Sequence, residues 1–178
     1  VIGRQFWGVL GWTITWAFFA TFLNFFLGTI MAMIIERPTT RCKALWRTIL
    51  SITIAVPQFV TLLLMSKLLA DQGTVNQLLQ AWGLTTEPVH FLTDATLARI
   101  TVIAVNLWVG IPYTLLIATG ILINVPEELY ESARIDGAGP TRVFFRITLP
   151  YMLYITTPYL ITQFVGNINN FNLIFLLT

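Results

Sequence analysis

Polar and small residues recur on one face of two long apolar stretches of this sequence. At 3.6 residues per turn, residues 152–177 bring one such set into a single stripe: Thr156, Tyr159, Gln163, Gly166, Asn167 and Asn170. Residues 100–123 carry a second stripe, with Pro112 on the opposite side: Asn106, Val109, Gly110, Tyr113 and Gly120. Amides donate and accept hydrogen bonds without carrying charge. These stripes therefore suit an uncharged solute rich in hydroxyl groups.

Two interpretations of the stripes are open. An amide at membrane depth needs a partner, so it faces either neighbouring protein or a wet cavity. Hydrogen bonds between helices are worth about 0.6 kcal/mol on average, and this packing role is expected for Asn169 and Asn172, which lie off the stripe. Contact with a solute is favoured for four residues on the stripes: Tyr113, Gln163, Asn167 and Asn170.

The chemistry of these segments favours a sugar over an amino acid or a phosphate. Neither 100–123 nor 152–177 contains an acidic or basic residue to meet an ionic solute. A site that bonds hydroxyl groups also rejects analogues that lack them. These spans also lack the catalytic dyad that a membrane-embedded enzyme would need. They lack the buried carboxylate that an ion-coupled carrier usually has.

Composition places the stripes in a membrane protein. The 178 residues are 56% hydrophobic and 10% charged, whereas soluble domains carry about 25% charged residues. Four spans are predicted, at about 12–35, 49–69, 100–123 and 152–177, with a kink at Pro57 in the second. The fold class is therefore an all-α polytopic bundle. The missing initiator Met and the apolar C-terminal run lead us to expect one transmembrane domain, 1–178, from a longer subunit.

The remaining residues of note fall near the spans. Trp7, Trp12 and Trp16 are expected in an interfacial aromatic belt, and Asn24 in helix packing. Residues 70–99 are predicted to form an interfacial loop with one short amphipathic helix, which carries Val75, Leu78, Leu79 and Trp82. His90 is expected at the surface, and the single cysteine, Cys42, excludes an internal disulfide and a metal site built on cysteines.

The stretch from Val125 to Pro150 holds seven of the chain's 18 charged residues. A charge at a bilayer centre costs roughly 2.5–3.5 kcal/mol, so this stretch is expected to face water. It is predicted to form two short helices, the first capped by Asn124, opened by Pro126 and ended by Gly137, the second starting at Gly139-Pro140. An exposed pair of helices with apolar and charged faces is typical of partner docking.

Basic residues predict the orientation of the spans. Seven Lys and Arg residues lie in two connections, the loop after the first span and the segment 126–150, and three lie elsewhere. By the positive-inside rule both connections are cytoplasmic, which puts both ends of the chain outside. The net charge of +2 gives no indication of nucleic-acid binding.

The spacing within the charged stretch resembles a known signature. Glu131-Ser132-Ala133, Gly137 and Ile147-Thr148-Leu149-Pro150 match the EAA loop of the membrane subunits of binding-protein-dependent ABC importers, with Ser132 in place of the usual alanine. In that family the loop is a coupling helix that docks on a cytoplasmic ATPase subunit. The resemblance implies this role for Glu131, Ser132, Ala133, Asp136 and Gly137. The alternative is an ordinary cytoplasmic loop of another polytopic protein.

Almost the whole chain, from about Phe6 to Thr178, is similar to maltose-type sugar permease subunits. The likeness is strongest at 106–113 (NLWVGIPY) and 163–178 (QFVGNINNFNLIFLLT). It implies that the following residues contact the sugar: Asn106, Val109, Gly110, Tyr113, Gln163, Gly166, Asn167 and Asn170. An aromatic residue is expected in the enteric maltose subunits where Gly166 stands, and the lost stacking surface leaves room for a longer oligosaccharide.

The resemblance implies a permease subunit of an ATP-driven oligosaccharide importer, of maltodextrin type, in a bacterial cytoplasmic membrane. Its implied partners are a second homologous permease subunit, two cytoplasmic ATPase subunits and an extracellular sugar-binding protein. This sequence has no G-x-x-x-x-G-K-[ST] loop, so ATP is expected on a partner subunit. No cofactor, metal site or enzymatic activity of its own is expected. A permease for another neutral solute, such as a galacto-oligosaccharide, remains open.

Overall fold

Helices make up nearly all the regular structure of this chain. The computed structural model describes residues 2–177, and their side chains except those of Ile2 and Arg4. The helices are α1 (Ile2–Glu36), α2 (Lys43–Ser51), α3 (Gln58–Leu69), α4 (Thr74–Ala81), α5 (Ala95–Ile123), α6 (Glu127–Ile135), α7 (Pro140–Val143), α8 (Leu149–Ile168) and α9 (Phe171–Leu177). A 3₁₀ turn, Ile52–Ala55, follows α2, and a π-helical turn, Phe144–Thr148, joins α7 to α8. The all-α fold class is confirmed, while Val1 and Thr178, the ends predicted to be extracellular, lie outside the described residues.

Two of the predicted spans are long single helices. Gln5–Glu36 of α1 and the whole of α5 are long and apolar enough to cross a membrane. Two further pairs of helical segments are long and apolar enough only when taken together: α2 with its 3₁₀ turn and α3–α4, bent by 88°, and α7–α8 with α9, bent by 47°. Four spans therefore result if each bent pair is counted as one.

The predicted span 49–69 bends at Pro57 as expected, but the helix is interrupted there instead of kinked. The chain leaves helical geometry at Val56 (ψ 128°) and Pro57 (ψ 132°) before α3 begins. Proline lacks the N–H that would continue the helix and disfavours helical geometry in the residue before it. The predicted span 152–177 is likewise interrupted, because α8 ends at Ile168 and a new helix starts at Phe171.

Helix α1 packs along both α5 and α8 and forms the centre of the bundle. Its buried face contains four small residues that are three to eight positions apart along the chain: Ala17, Ala20, Gly28 and Ala32. Small residues allow helix backbones to approach closely, which is how helices associate inside membranes. Large side chains from the neighbouring helices fill the remaining space, including Leu62, Leu115 and Met152.

Gly28 marks the closest approach of α1 to α5, and we predict that Gly28→Ala destabilises the bundle. A Cβ atom at this position would lie 2.7 Å from Thr114 Cβ and 3.1 Å from the backbone nitrogen of Leu115. Overpacking of this kind costs about 1–3 kcal/mol. A lower thermal unfolding midpoint is expected for the full transporter in detergent. Gly8→Ala is the control, since a Cβ at Gly8 meets nothing within 4 Å; equal midpoints for the two variants would contradict the prediction.

The predicted aromatic belt is only partly correct. Trp7 is 68% exposed, but Trp16 is 1% exposed and lies in the core. The Trp16 indole Nε1 donates a hydrogen bond of 2.9 Å to the backbone oxygen of Asn167, so its polar edge is satisfied inside the bundle instead of at the interface. Trp12 lies beneath the Arg99 guanidinium, 4.8 Å from ring centre to Cζ, in a cation–π contact.

The connection between α3 and α5 is ordered by one buried amide. Asn76 is 1% exposed; its Nδ2 donates to Val89 O at 2.9 Å, and Val89 N donates to Asn76 Oδ1 at 2.8 Å. The predicted short helix forms as α4 and contains Val75, Leu78 and Leu79, whereas Trp82 follows it and is 70% exposed. His90 is exposed, as predicted, and its Nδ1 lies 3.0 Å from Asp71 Oδ1.

Both basic connections lie at one end of the bundle, as the orientation argument requires. A cavity there is lined by Arg37 and Pro38 from one connection and by Arg134 and Pro140 from the other. Glu36, at the end of α1, accepts hydrogen bonds from Arg47 and lies 3.7 Å from Lys43 Nζ. These ion pairs hold the turn between α1 and α2 in place.

Candidate functional site

A cavity of about 570 Å³ opens between the broken helices and the two long ones. It is lined by Asn24 of α1, by Thr53, Ile54, Val56, Pro57, Gln58 and Thr61 around the α2–α3 break, by Asn106, Val109, Gly110 and Tyr113 of α5, and by Gln163, Gly166, Asn167, Asn169 and Asn170 around the end of α8. All eight residues predicted to contact the solute thus line one cavity.

The break at Pro57 supplies residues that sequence reasoning missed. Val56 and Pro57 place non-helical backbone on the cavity wall, next to the side chains of Thr53, Gln58 and Thr61. Non-helical backbone at membrane depth is tolerated where it lines a cavity or is buried in protein. A proline and a glutamine inside a short apolar segment were the available signal, since interrupted spans point to binding sites in transporters.

Two of the cavity amides are free to bind a ligand. The side chains of Asn106 and Gln163 form no hydrogen bond with any described residue, although Asn106 is buried. Tyr113 is 50% exposed, and its ring centre lies 6.1 Å from that of Tyr159. An aromatic ring beside two uncommitted amides can bind both the hydroxyl groups and the apolar face of a sugar ring.

Two other cavity amides also hold the helices together. Asn167 is 8% exposed, and its Nδ2 donates to Thr21 Oγ1 of α1 at 3.0 Å. Asn170 Oδ1 accepts a 3.2 Å hydrogen bond from Leu173 N and caps the start of α9. These two residues therefore line the cavity and also fix its walls, so the packing interpretation holds for them, and contact with a solute stays a prediction.

The position of the α8–α9 break changes which residues face the cavity. Asn169, assigned above to helix packing, lines the cavity because α8 ends at Ile168 and the chain turns there. Thr156 is buried and donates to Met152 O at 2.7 Å, so it packs within the bundle. Gly120 does not line the cavity, and Tyr159 is set behind it.

The predicted coupling segment forms two helices with a sharp turn. Gly137 has a φ of +69° and ends α6, with Gly137 N bonded to Arg134 O and Ala138 N to Ala133 O at 2.9 Å. The second helix starts at Pro140 as predicted. Asn124 does not cap α6, because its Nδ2 donates to Gly120 O at 2.7 Å and so closes α5 instead.

The exposed surface of α6 differs in part from the predicted docking residues. Glu131, Ser132, Asp136 and Gly137 are exposed, whereas Ala133 is nearly buried at 9%. Ala133 instead forms the floor of a groove of about 570 Å³, which is also lined by Asp136, Arg142, Val143, Arg146 and Ile147. Ile135 is 86% exposed, and an isoleucine among charged residues was the signal that could have identified it.

Comparison with known proteins places this geometry in a family. The model of binding-protein-dependent transport system inner membrane components matches residues 24–178. The chain belongs to this family. The family resemblance drawn from the EAA spacing is thereby confirmed, and the apolar helices agree with a multi-pass inner-membrane component.

Several curated proteins and solved structures are similar to the chain. It is 40% identical over 173 residues to the galactooligosaccharides transport system permease protein GanP of Bacillus subtilis, covering 96% of this chain and 41% of GanP. It is 37% identical over 179 residues to the maltose/maltodextrin transport system permease protein MalF of Escherichia coli, covering 99% of this chain and 34% of MalF. The chain thus spans about two fifths or less of the length of these relatives.

Two crystal structures share the fold. A bacterial ABC transporter involved in the import of the acidic polysaccharide alginate matches with a TM-score of 0.77 and 23% identity, over 90% of this chain and 56% of that chain. The alginate transporter in complex with an alginate pentasaccharide-bound periplasmic protein matches with a TM-score of 0.73 and 26% identity, over 89% and 55% of the two chains.

Proposed function

We propose that this chain forms part of the sugar pathway of an ATP-driven importer of neutral oligosaccharides, with maltodextrins as the favoured substrates. The observation that carries the proposal is the cavity wall: seven amide side chains and a tyrosine face a space that no charged side chain among its described lining residues enters. Amides beside an aromatic ring suit polyhydroxylated, uncharged ligands. An acidic polysaccharide would find no cation on this wall to offset its desolvation.

The same proposal includes partners and orientation. The segment 126–150 lies on the cytoplasmic side and docks on one of two ATPase subunits, while a second homologous permease subunit completes the pathway and an extracellular binding protein delivers the sugar. Support comes from the EAA spacing, the exposed face of α6 and the position of both basic connections at one end of the bundle. Binding of partners at both ends would switch the cavity between outward and inward openings.

Galacto-oligosaccharides are a second candidate substrate, because GanP is a relative with 40% identity. Glucose and galactose units differ in the orientation of one hydroxyl group. A site built on hydrogen bonds can discriminate between such sugars, so the two candidates are separable by direct measurement.

Uptake by the full transporter in vesicles tests the proposal. We expect labelled maltohexaose to enter only when ATP is supplied on the ATPase side, with competition by shorter maltodextrins and none by alginate oligomers. Faster uptake of galacto-oligosaccharides would favour the second candidate. Uptake that persists without ATP and follows a proton gradient would contradict both.

A further inference from the structure

A second, smaller chamber lies behind the main cavity. Its volume is about 50 Å³, which is enough for one water molecule or one hydroxyl-bearing group. Five residues line both spaces, so the chamber adjoins the cavity: Asn24, Gly110, Tyr113, Gln163 and Asn167. Its rear wall carries the hydroxyl groups of Thr21, Thr114 and Tyr159.

Asn24, which lines this chamber, carries a hydrogen-bond acceptor without a partner among the described residues. Its Nδ2 donates to Ala20 O at 2.8 Å, one turn back along α1. This bond orients the amide, because exchanging its nitrogen and oxygen would set two acceptors against each other. The Oδ1 atom is fully buried, and no described protein group donates to it. Since buried polar atoms are nearly always hydrogen-bonded, Oδ1 needs a donor that the described contacts do not supply.

The absence of a side chain at Gly110 allows this arrangement. A Cβ atom there would lie 2.6 Å from Asn24 Nδ2 and 2.8 Å from Oδ1. The Asn24 amide therefore lies directly against the backbone of α5, at the boundary between the chamber and the main cavity. Any larger residue at 110 would force the amide out of this position.

The nearest hydroxyl groups are committed to each other. Thr114 Oγ1 donates to Gly110 O at 3.3 Å, and it lies 3.3 Å from Tyr159 Oη. Because the Thr114 proton is used on Gly110 O, Tyr159 is the donor in the second bond. Neither proton is then available to Asn24. The other donors on the chamber wall, among them the free amide of Gln163, form no hydrogen bond to Oδ1. A donor that enters the chamber would supply the partner that Oδ1 lacks.

We propose that the inner chamber binds one O–H donor, either a water molecule or a hydroxyl group of the transported sugar, and that Asn24 is a further specificity-determining residue. A cationic N–H donor is disfavoured because no carboxylate lies among the lining residues. The sugar alternative rests on the proposed function, whereas the water alternative does not.

Asn24→Leu in the full transporter tests this inference, since leucine has a similar size and no acceptor. Asn172→Leu is the matched control, because Asn172 is exposed and lines neither space. We expect Asn24→Leu to lower the thermal unfolding midpoint and to reduce uptake about tenfold or more, with the control unchanged. If the Asn24→Leu transporter does not assemble, Asn24→Ala is used in its place.

A panel of singly deoxygenated maltotrioses separates the two sources of the donor. If a sugar hydroxyl enters the chamber, the analogue that lacks this hydroxyl will be transported equally by the wild type and Asn24→Leu. If a water molecule is bound instead, Asn24→Leu should change the uptake of every sugar by the same factor. A higher unfolding midpoint of Asn24→Leu with unchanged uptake would overturn the inference. Removal of a buried acceptor stabilises the fold only when nothing donates a hydrogen bond to that acceptor. If the wild type imports no oligosaccharide, the proposed function fails, and the direction of the midpoint shift still decides whether a donor is bound.

Discussion

Replacing Gly166 with phenylalanine is expected to reduce uptake of long maltodextrins at least about tenfold, since even one excess methylene in a binding pocket costs ten- to two-hundredfold. Gly166 lines the cavity, and a Cβ atom there meets nothing within 4 Å. The phenyl ring therefore projects into the sugar path without disturbing the packed helices. Uptake of maltose, which needs less space and gains a stacking surface, should be retained or increased.

The comparison is made on initial uptake rates of maltose and maltohexaose by the full transporter. Gly120→Phe is the matched control, because a Cβ at Gly120 also meets nothing within 4 Å and the residue does not line the cavity. Unchanged maltohexaose uptake in Gly166→Phe would show that long sugars do not pass this wall. A fall of equal size in Gly120→Phe would attribute the effect to the added bulk alone.

Ile135→Glu is expected to uncouple the transporter, with sugar-stimulated ATP hydrolysis and uptake both reduced at least about tenfold, since central interface residues contribute about 2 kcal/mol or more. Ile135 is 86% exposed at the end of α6, within the segment that we propose docks on the ATPase subunit. A carboxylate there would be desolvated without a partner on docking. Leu84→Glu is the control, since Leu84 is 66% exposed in the connection at the opposite end of α5.

Cysteine crosslinking locates the same contact directly. In a Cys42→Ser background, needed because Cys42 is exposed, Ser132→Cys should crosslink to the ATPase subunit. Ala133→Cys should react poorly, since that position is nearly buried. Crosslinking from Arg41→Cys alone would reassign the docking surface to the turn between α1 and α2.

The fold and much of the cavity could be predicted because local pattern controls them. Apolar length defined the spans, helical periodicity brought residues such as Asn106 and Gln163 to one face, and the glycine at 137 ended α6 where a positive φ was needed. Each of these depends on residues close together in the chain. Periodicity therefore predicted which residues share a helix face, although Gly120 and Thr156, on the same stripes, do not line the cavity.

What could not be predicted depends on contacts between distant segments and on breaks in the helices. Trp16 was expected at the interface, but its indole finds the backbone oxygen of Asn167, 151 residues away, inside the bundle. A helical wheel placed Asn169 off the stripe because it assumed that α8 continued. Likewise, Pro57 was expected to bend a helix, and only the folded structure shows an 88° turn that brings Gln58 to the cavity.

The central claim is that an oligosaccharide lies in the amide-lined cavity during transport. The most direct test is a cryo-electron microscopy map of the full transporter, trapped with nucleotide and maltohexaose. We predict density for a sugar chain beside Gly166 and Tyr113, with hydroxyl groups within about 2.7–3.2 Å of the Asn106 and Gln163 amides. Sugar density elsewhere in the membrane domain, with this cavity occupied by lipid or by another helix, would contradict the claim.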